Sequence, residues 1–158
     1  MAGQIKTFSV HTLQDTQQFA HKLAPMLQPK DIILLRGDLG VGKTTLTRNI
    51  INEIGLQKEE VPSPTFTLLQ TYDTDEFPIF HFDLYRLKKP EEVLELGIED
   101  AFYDGVSLIE WPEKMGSYLP QKKVLNVEIS CQDEMRTFAF SSKNPKWNER
   151  LEEWNEVI

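Results

Sequence analysis

The sequence contains a single cysteine, Cys131, which excludes an internal disulfide and any metal site built from several thiolates. No apolar run approaches the ~18 residues that a membrane helix needs. The opening Met-Ala-Gly-Gln-Ile-Lys is not followed by the apolar stretch of a signal peptide. Basic side chains are in deficit: 17 Lys and Arg against 25 Asp and Glu give a net charge of −8 and a pI near 4.9. The basic residues are also scattered, so no clustered face is available to grip a phosphate backbone. Internal repeats, low-complexity tracts and Gly/Ser linkers are missing too. Together these absences predict a cytoplasmic protein with no membrane contact and no strong direct binding to nucleic acid. Any role on nucleic acid then runs through a partner protein.

What remains is an ordinary globular composition, 40% hydrophobic and 27% charged over 158 residues. A chain of this length buries roughly 70% of its unfolded surface, enough for one core. Ile5–Val10 alternates weakly, as an edge strand does. Thr12 followed by Asp15 has the capping-box spacing, and Phe19, Ala20, Leu23 and Leu27 give the helix behind it one apolar face. Residues 31–36 form a short continuous apolar run, expected of a strand buried on both faces. A helix from 43 to 54 follows, with Leu46, Ile50, Ile51 and Ile54 at helical spacing and Gly55 as its stop.

Segments 65–72 and 78–83 read as strands around turn chemistry at 73–77. Pro90-Glu-Glu opens a short helix that Gly97 ends, and 106–110 is another buried-type strand. Segments 123–130 and 137–141 suggest a late hairpin. Trp147, Leu151, Trp154 and Ile158 fall at helical spacing, predicting an amphipathic C-terminal helix over 144–158 packed on a domain of residues 1–143. The expected fold class is therefore α/β: a single domain with a mixed sheet, flanking helices and added antiparallel hairpins.

Gly37-Asp-Leu-Gly-Val-Gly42-Lys43-Thr44 matches the phosphate-binding pattern G-x-x-x-x-G-K-[ST] without deviation. Its context is right as well, since a buried strand precedes it and a helix follows. The chemistry uses each part. Gly37, Gly40 and Gly42 let the backbone fold tightly, so that amides from Gly37, Asp38, Leu39, Gly40, Val41 and Gly42 approach phosphate oxygens. Helix residues Lys43, Thr44 and Thr45 aim free N–H groups and the positive dipole end at the same anion. Lys43 is expected at the β- and γ-phosphates, and the Thr44 hydroxyl at Mg²⁺. The expected cofactors are accordingly a nucleotide and Mg²⁺.

Two carboxylates compete for the metal. Asp83 ends one strand and Glu110 another, and either fits an acid at the C-terminal end of a buried strand. The loop Pro62-Ser-Pro-Thr-Phe-Thr67 presents Ser63, Thr65 and Thr67, and in nucleotide switches such a threonine senses the γ-phosphate. His81 lies two positions before an acid, but a histidine inside an aromatic strand is more often a hydrogen-bonded core residue. Trp111 has three open roles: core, base-stacking surface or partner contact.

In their order and spacing, Gly37–Thr44, Ser63-Pro-Thr-Phe-Thr67, His81-Phe-Asp-Leu-Tyr-Arg86 and Leu108-Ile-Glu-Trp-Pro-Glu113 closely resemble the bacterial TsaE (YjeE) family. The resemblance spans about residues 5 to 130. It implies a P-loop ATPase of low intrinsic activity that binds ATP or ADP with Mg²⁺. That ATPase works with TsaB and TsaD to make threonylcarbamoyladenosine beside the anticodon of tRNAs reading A-starting codons. It also implies that Lys43, Thr65, Asp83 and Glu110 serve catalysis, that Thr44, Glu110 and Asp83 serve the metal, and that the segment around Thr12 and Leu13 lies beside adenine. The tRNA would be held by other subunits, which suits the acidic charge.

Other chemistries use the same glycine loop. A small-molecule kinase usually adds an arginine-rich lid, but the five arginines here, Arg36, Arg48, Arg86, Arg136 and Arg150, form no basic segment. A GTPase needs Asn-Lys-x-Asp, and the nearest string, Asn144-Pro-Lys-Trp147, lacks the spacing and the acid. A non-catalytic, nucleotide-gated binding module is left open. Within the ATPase reading Asp83 or Glu110 positions a water, and Arg86 is the nearest motif residue for neutralising charge.

Overall fold

A computed structural model describes residues 5–38, 42–54, 68–133 and 135–152. At its centre β2 (Ile32–Arg36) lies between two parallel neighbours, β5 (Val106–Glu110) and β6 (Val124–Gln132). Beyond β5 comes β4 (Ile79–Asp83), also parallel, and β3 (Leu69–Tyr72) closes that edge antiparallel. On the other side β7 (Met135–Ser141) returns antiparallel from β6 and pairs antiparallel with β1 (Ile5–Val10). The strand order is β1-β7-β6-β2-β5-β4-β3, a seven-stranded mixed sheet of the α/β class expected from the sequence.

Both faces of this sheet are covered, which explains the unbroken apolar run in β2. Strand side chains alternate between faces. Ile33 and Leu35 join one core with Phe19 and Leu23 of α1 (Leu13–Leu23) and Leu46, Ile50 and Ile51 of α2 (Lys43–Ile54). Ile32 and Leu34 join a second core with Phe82, Val93, Ile98 and Met115. At the start of α1 the Thr12 hydroxyl accepts from the Asp15 N–H at 3.1 Å. The Asp15 carboxylate in turn accepts from the N–H groups of His11 and Thr12. Two orphan donors are thus satisfied reciprocally. The α-helix stops at Leu23, because Pro25 falls in the 3₁₀ turn Ala24–Met26 that follows.

The short helix expected at Pro90 forms as the 3₁₀ segment Pro90–Leu96 and ends at Gly97. Two connections go beyond the sequence reading. Gly97, at φ 76°, leads into a further helix, α3 (Ile98–Asp104). Another 3₁₀ segment, Pro112–Tyr118, follows β5. Each is seven residues or shorter, too brief for a periodic pattern to stand out, and each is held by burial of a few side chains such as Val93, Ala101 and Met115. Strand β3 is described only from Leu69; residues 65–67, like Gly55, lie outside the described residues.

At the C-terminal end of the chain α4 (Pro145–Glu152) buries Trp147 and Leu151 in the first core; Trp154 and Ile158 lie outside the described residues. Arg150 fastens this helix to the start of β2. It donates to Asp31 at 2.7 Å and to the Gln28 side chain at 3.0 Å, and its guanidinium lies 4.2 Å from the centre of the Trp147 ring. Burial pushes the Asp31 carboxyl above its ordinary value of 3.8, while Arg150 and the Gln28 N–H pull it back. A raised folded-state value means that folding favours the protonated form. Its contribution is full below the ordinary value and is lost as pH rises through the folded value. Arg150→Met removes the opposing cation and pushes Asp31 higher still. Chemical denaturation should therefore show a loss of about 2–4 kcal/mol at pH 7 that shrinks toward pH 4. A loss independent of pH would assign Arg150 to packing alone.

Candidate active site

Strand alternation decides which side chains face the glycine loop. Val106 and Leu108 of β5 point into the core beneath α1 and α2, so Glu110 points the same way at the strand's C-terminal end. In β4, Ile79 belongs to that core, and His81 and Asp83 share its parity. The register pairs His81 with Leu108 and Asp83 with Glu110, bringing both acids to one edge of the sheet. The loop itself rises from the C-terminal end of β2, the crevice where α/β sheets hold ligands.

Gly37 and Gly42 stand at φ 146° and 112°, conformations that a side chain would strain. The Gly42 carbonyl accepts the first helical bond, from the Leu46 N–H at 3.0 Å. The amides of residues 43–45, ahead of that bond, have no acceptor within the helix. Lys43 is buried, 4% exposed, and donates to the Gly37 carbonyl at 2.5 Å. Its ammonium lies 3.4 Å from the centre of the Trp111 ring, which in turn packs at 4.9 Å on Tyr85. Trp111 reaches this place from a left-handed backbone, φ 61° and ψ 50°. Burial lowers the Lys43 pKa, against the attraction of Glu110, Glu113, Asp83 and Asp38.

Glu110 uses both oxygens. One accepts from the Thr44 hydroxyl at 2.7 Å, and the other meets His81 Nε2 at 2.5 Å in full burial. Because an ionised carboxylate only accepts, Nε2 carries the proton, and His81 Nδ1 is left buried without a hydrogen-bond partner among the described residues. One strand over, Asp83 accepts from the Tyr85 N–H at 3.1 Å, and its own N–H donates to the Leu68 carbonyl. The sequence left Asp83 and Glu110 as equals; the Thr44 hydroxyl meets Glu110. His81, left open between core and site, is both: a buried residue whose one bonded nitrogen orients Glu110. Tyr85 was inside a quoted motif but carried no role of its own, since its tilted ring contact with Trp111 depends on how two strand ends meet.

The remaining expected residues are distributed as follows. Gly37, Asp38, Gly42, Lys43, Thr44 and Thr45 are described, whereas Leu39, Gly40, Val41, Ser63, Thr65 and Thr67 lie outside the described residues. Thr12 spends its hydroxyl on the α1 cap, and Leu13 is 63% exposed. Trp111 is the lysine's cover, combining core contact with surface.

This donor set suits a magnesium nucleotide. Hard oxygens from Thr44 and Glu110 stand 2.7 Å apart beside a buried ammonium and a helix N-terminus. Among the described residues no three His, Cys, Asp or Glu side chains form a metal cage. Magnesium needs none, since one or two protein oxygens plus phosphates ordinarily hold it. Among the described residues, no helix is long and apolar enough to cross a membrane.

The chain is similar to known proteins. The chain is 50% identical over 121 residues to the tRNA threonylcarbamoyladenosine biosynthesis protein TsaE of Rickettsia bellii, covering 77% of this chain and 83% of that one. To the protein of the same name in Bacillus subtilis it is 33% identical over 141 residues, covering 89% and 87%. The crystal structure of YdiB from Bacillus subtilis superposes with a TM-score of 0.81 at 26% identity, across 99% of this chain and 97% of the other. A family model described as threonylcarbamoyl adenosine biosynthesis protein TsaE matches residues 10–138. A match that begins at the last residue of β1 and ends within β7 takes in the glycine loop, both acids and His81, and the chain belongs to the TsaE family.

Proposed function

We infer that this protein binds ATP or ADP with Mg²⁺ on the loop at 37–45 and hydrolyses ATP slowly. It does so as the nucleotide-dependent member of a cytoplasmic assembly with TsaB and TsaD that installs threonylcarbamoyladenosine in tRNA. The observation that carries the reading is the chain of contacts Thr44–Glu110–His81, with Glu110 also acting on the buried Lys43 ammonium. It supports a metal and phosphate role because a fully buried carboxylate is retained there on two hydrogen bonds rather than replaced by a hydrophobe.

In this reading Lys43 leaves the Gly37 carbonyl and the Trp111 face for phosphate oxygens, a change that trades a neutral acceptor for an anion. Thr44 and Glu110 would hold Mg²⁺, Thr44 through its hydroxyl and Glu110 directly or through water, and His81 keeps the Glu110 carboxylate aimed. The bound ion supplies neutralisation of developing phosphoryl charge. Asp83 and Thr65 are the further residues proposed at the γ-phosphate end, and Thr12 and Leu13 at the base. Among the described residues the charges that act most on Lys43 are carboxylates, an arrangement that by itself stabilises developing phosphoryl charge poorly. That imbalance favours a slow isolated enzyme completed by its partners.

Phosphate release with purified protein should be slow alone and should rise at least tenfold when TsaB and TsaD are added. Equal turnover with and without them would remove the partner-dependent part of the reading. Phosphoryl transfer to an added small-molecule acceptor would replace it with a kinase.

A further inference from the structure

Among the described residues, cover on the face of the sheet away from α1 and α2 stops at β6. Ile32 and Leu34 of β2 and Val124 of β6 belong to the second core, which takes in no described side chain of β7 or β1. By parity Arg36 lies on that same face of β2, and the register sets Asn126 of β6 beside Leu34. Where the cover ends there is a groove of about 160 Å³, bordered by β2, by β6 and by the segment that follows Tyr118.

Its lining inverts the charge of the chain. Leu34, Val124, Leu119 and Pro120 supply an apolar floor and wall, while Arg36, Lys143, Gln121 and Asn126 supply N–H donors. No carboxylate lines it, in a chain whose net charge is −8. The ion pairs formed among the described residues, His21–Glu53, His81–Glu110 and Arg150–Asp31, all lie elsewhere. Glu128, level with Arg36 on β6, is exposed and stays outside the lining. The backbone around the groove is pinned. The buried Ser142 hydroxyl donates to the Val124 carbonyl at 2.6 Å and accepts from the Asn144 N–H at 3.0 Å, which fixes the chain on both sides of Lys143. The Lys123 carbonyl, just before Val124, accepts from the Ile32 N–H and from Trp147 Nε1, each at 3.2 Å. A surface held in this way loses little freedom on binding.

Size and chemistry select the occupant. Pockets for nucleotide-sized ligands run to roughly 300 Å³ or more, so this groove is too small for one. A nucleic-acid backbone needs a longer series of cations and gains nothing from an apolar floor. A carboxylate matches the guanidinium fork, peptide N–H and C=O groups match the two carboxamides, and an aliphatic side chain matches the floor. From the level of Ile32 and Val124, beside Lys143, to the level of Arg36 is four residues of β2, or about 13 Å at strand spacing. Two carboxylates on an extended peptide cover that span when they stand about four positions apart.

We propose that this groove docks an acidic, extended segment of a partner protein, with carboxylates on Arg36 and Lys143 and an apolar side chain between them on Leu34 and Val124. The site lies on the opposite face of the sheet from α2 and does not depend on the nucleotide reading. The peptide Glu-Thr-Leu-Thr-Glu, titrated into the full chain and followed by NMR, should bind with a Kd of about 1 mM or tighter and shift the side-chain amide signals of Asn126 and Gln121. Replacing both of its acids by glutamine or by lysine should weaken it at least about fivefold. Arg36→Gln should weaken the acidic peptide about fivefold to tenfold, and Lys143→Gln about twofold to threefold, because an exposed ammonium pairs weakly. Thermal melts check that both variants fold. If Arg36→Gln does not, Lys143→Gln and the amide shifts of the unaltered protein carry the test. No binding of the acidic peptide, equal binding of its glutamine form, or shifts that leave Asn126 and Gln121 unmoved would each overturn the proposal. So would an oligouridylate that occupies the groove in preference to the peptide.

Discussion

Glu110→Gln should lower magnesium-dependent ATP hydrolysis by at least about a hundredfold while leaving ATP binding in the absence of magnesium within about threefold. Glutamine keeps the shape of the side chain but offers one acceptor where glutamate offers two. Thr44 and His81 both donate to Glu110, at 2.7 and 2.5 Å, so one of them loses its acceptor. The imidazole can adapt by moving its proton to Nδ1, but that atom is buried and has no partner among the described residues. The cost is about 1–3 kcal/mol for an unsatisfied buried donor. Glu110→Ala removes both acceptors and opens a cavity, and its loss of stability should reach about 3–5 kcal/mol. Single-turnover hydrolysis, calorimetry with and without magnesium, and chemical denaturation separate these effects. The glutamine variant also separates two functions. If it still supports threonylcarbamoylation with TsaB and TsaD, occupancy matters rather than hydrolysis. Normal turnover by it would remove Glu110 from the metal site.

Lys43→Met should abolish detectable nucleotide binding, a loss of about a hundredfold or more in affinity, without destabilising the ligand-free protein. The methionine retains the apolar stem beside Trp111 and removes the charge. In the unliganded protein that charge is a burden, for burial lowers the lysine pKa from its usual 10.5 despite four nearby carboxylates. The sign follows from linkage: the unfolded chain binds this proton more tightly, so stability rises with pH from the lowered value toward 10.5. Methionine should flatten that rise and leave the apo protein at least as stable as before. Thermal melts across pH 7 to 11, together with calorimetry, test both halves. A large fall in apo stability would show that the ammonium supports the fold through Gly37 and Trp111 rather than waiting for phosphate.

Much of this site is legible along the chain because its parts are local. The turn from Gly37 to Thr44 is specified by consecutive residues, since glycine backbone freedom and a helix start need no distant partner. The unbroken run in β2 reads as a strand covered on both faces, and it packs into two cores. The Thr12–Asp15 box is four residues long and forms as spaced. The short helix at Pro90 was legible from its proline start and Gly97 stop, whereas α3 and the 3₁₀ segment after β5 were not, because seven residues carry too little periodicity and tertiary burial stabilises them instead.

Chemistry written in neighbouring residues could thus be read without coordinates: a glycine loop for phosphate, acids at strand ends, an acidic chain with scattered basic residues. Partnership between strands could not. Asp83 and Glu110 end adjacent parallel strands with the same parity, so sequence makes them equivalent, and it is the register and the place of α2 that set Glu110 against Thr44. The same holds for Arg36 and Lys143, far apart along the chain yet brought to one groove by the pairing of β6 with β2 and β7. Side-chain identity is a local property, whereas which two side chains touch depends on chain closure over distances that no motif spans.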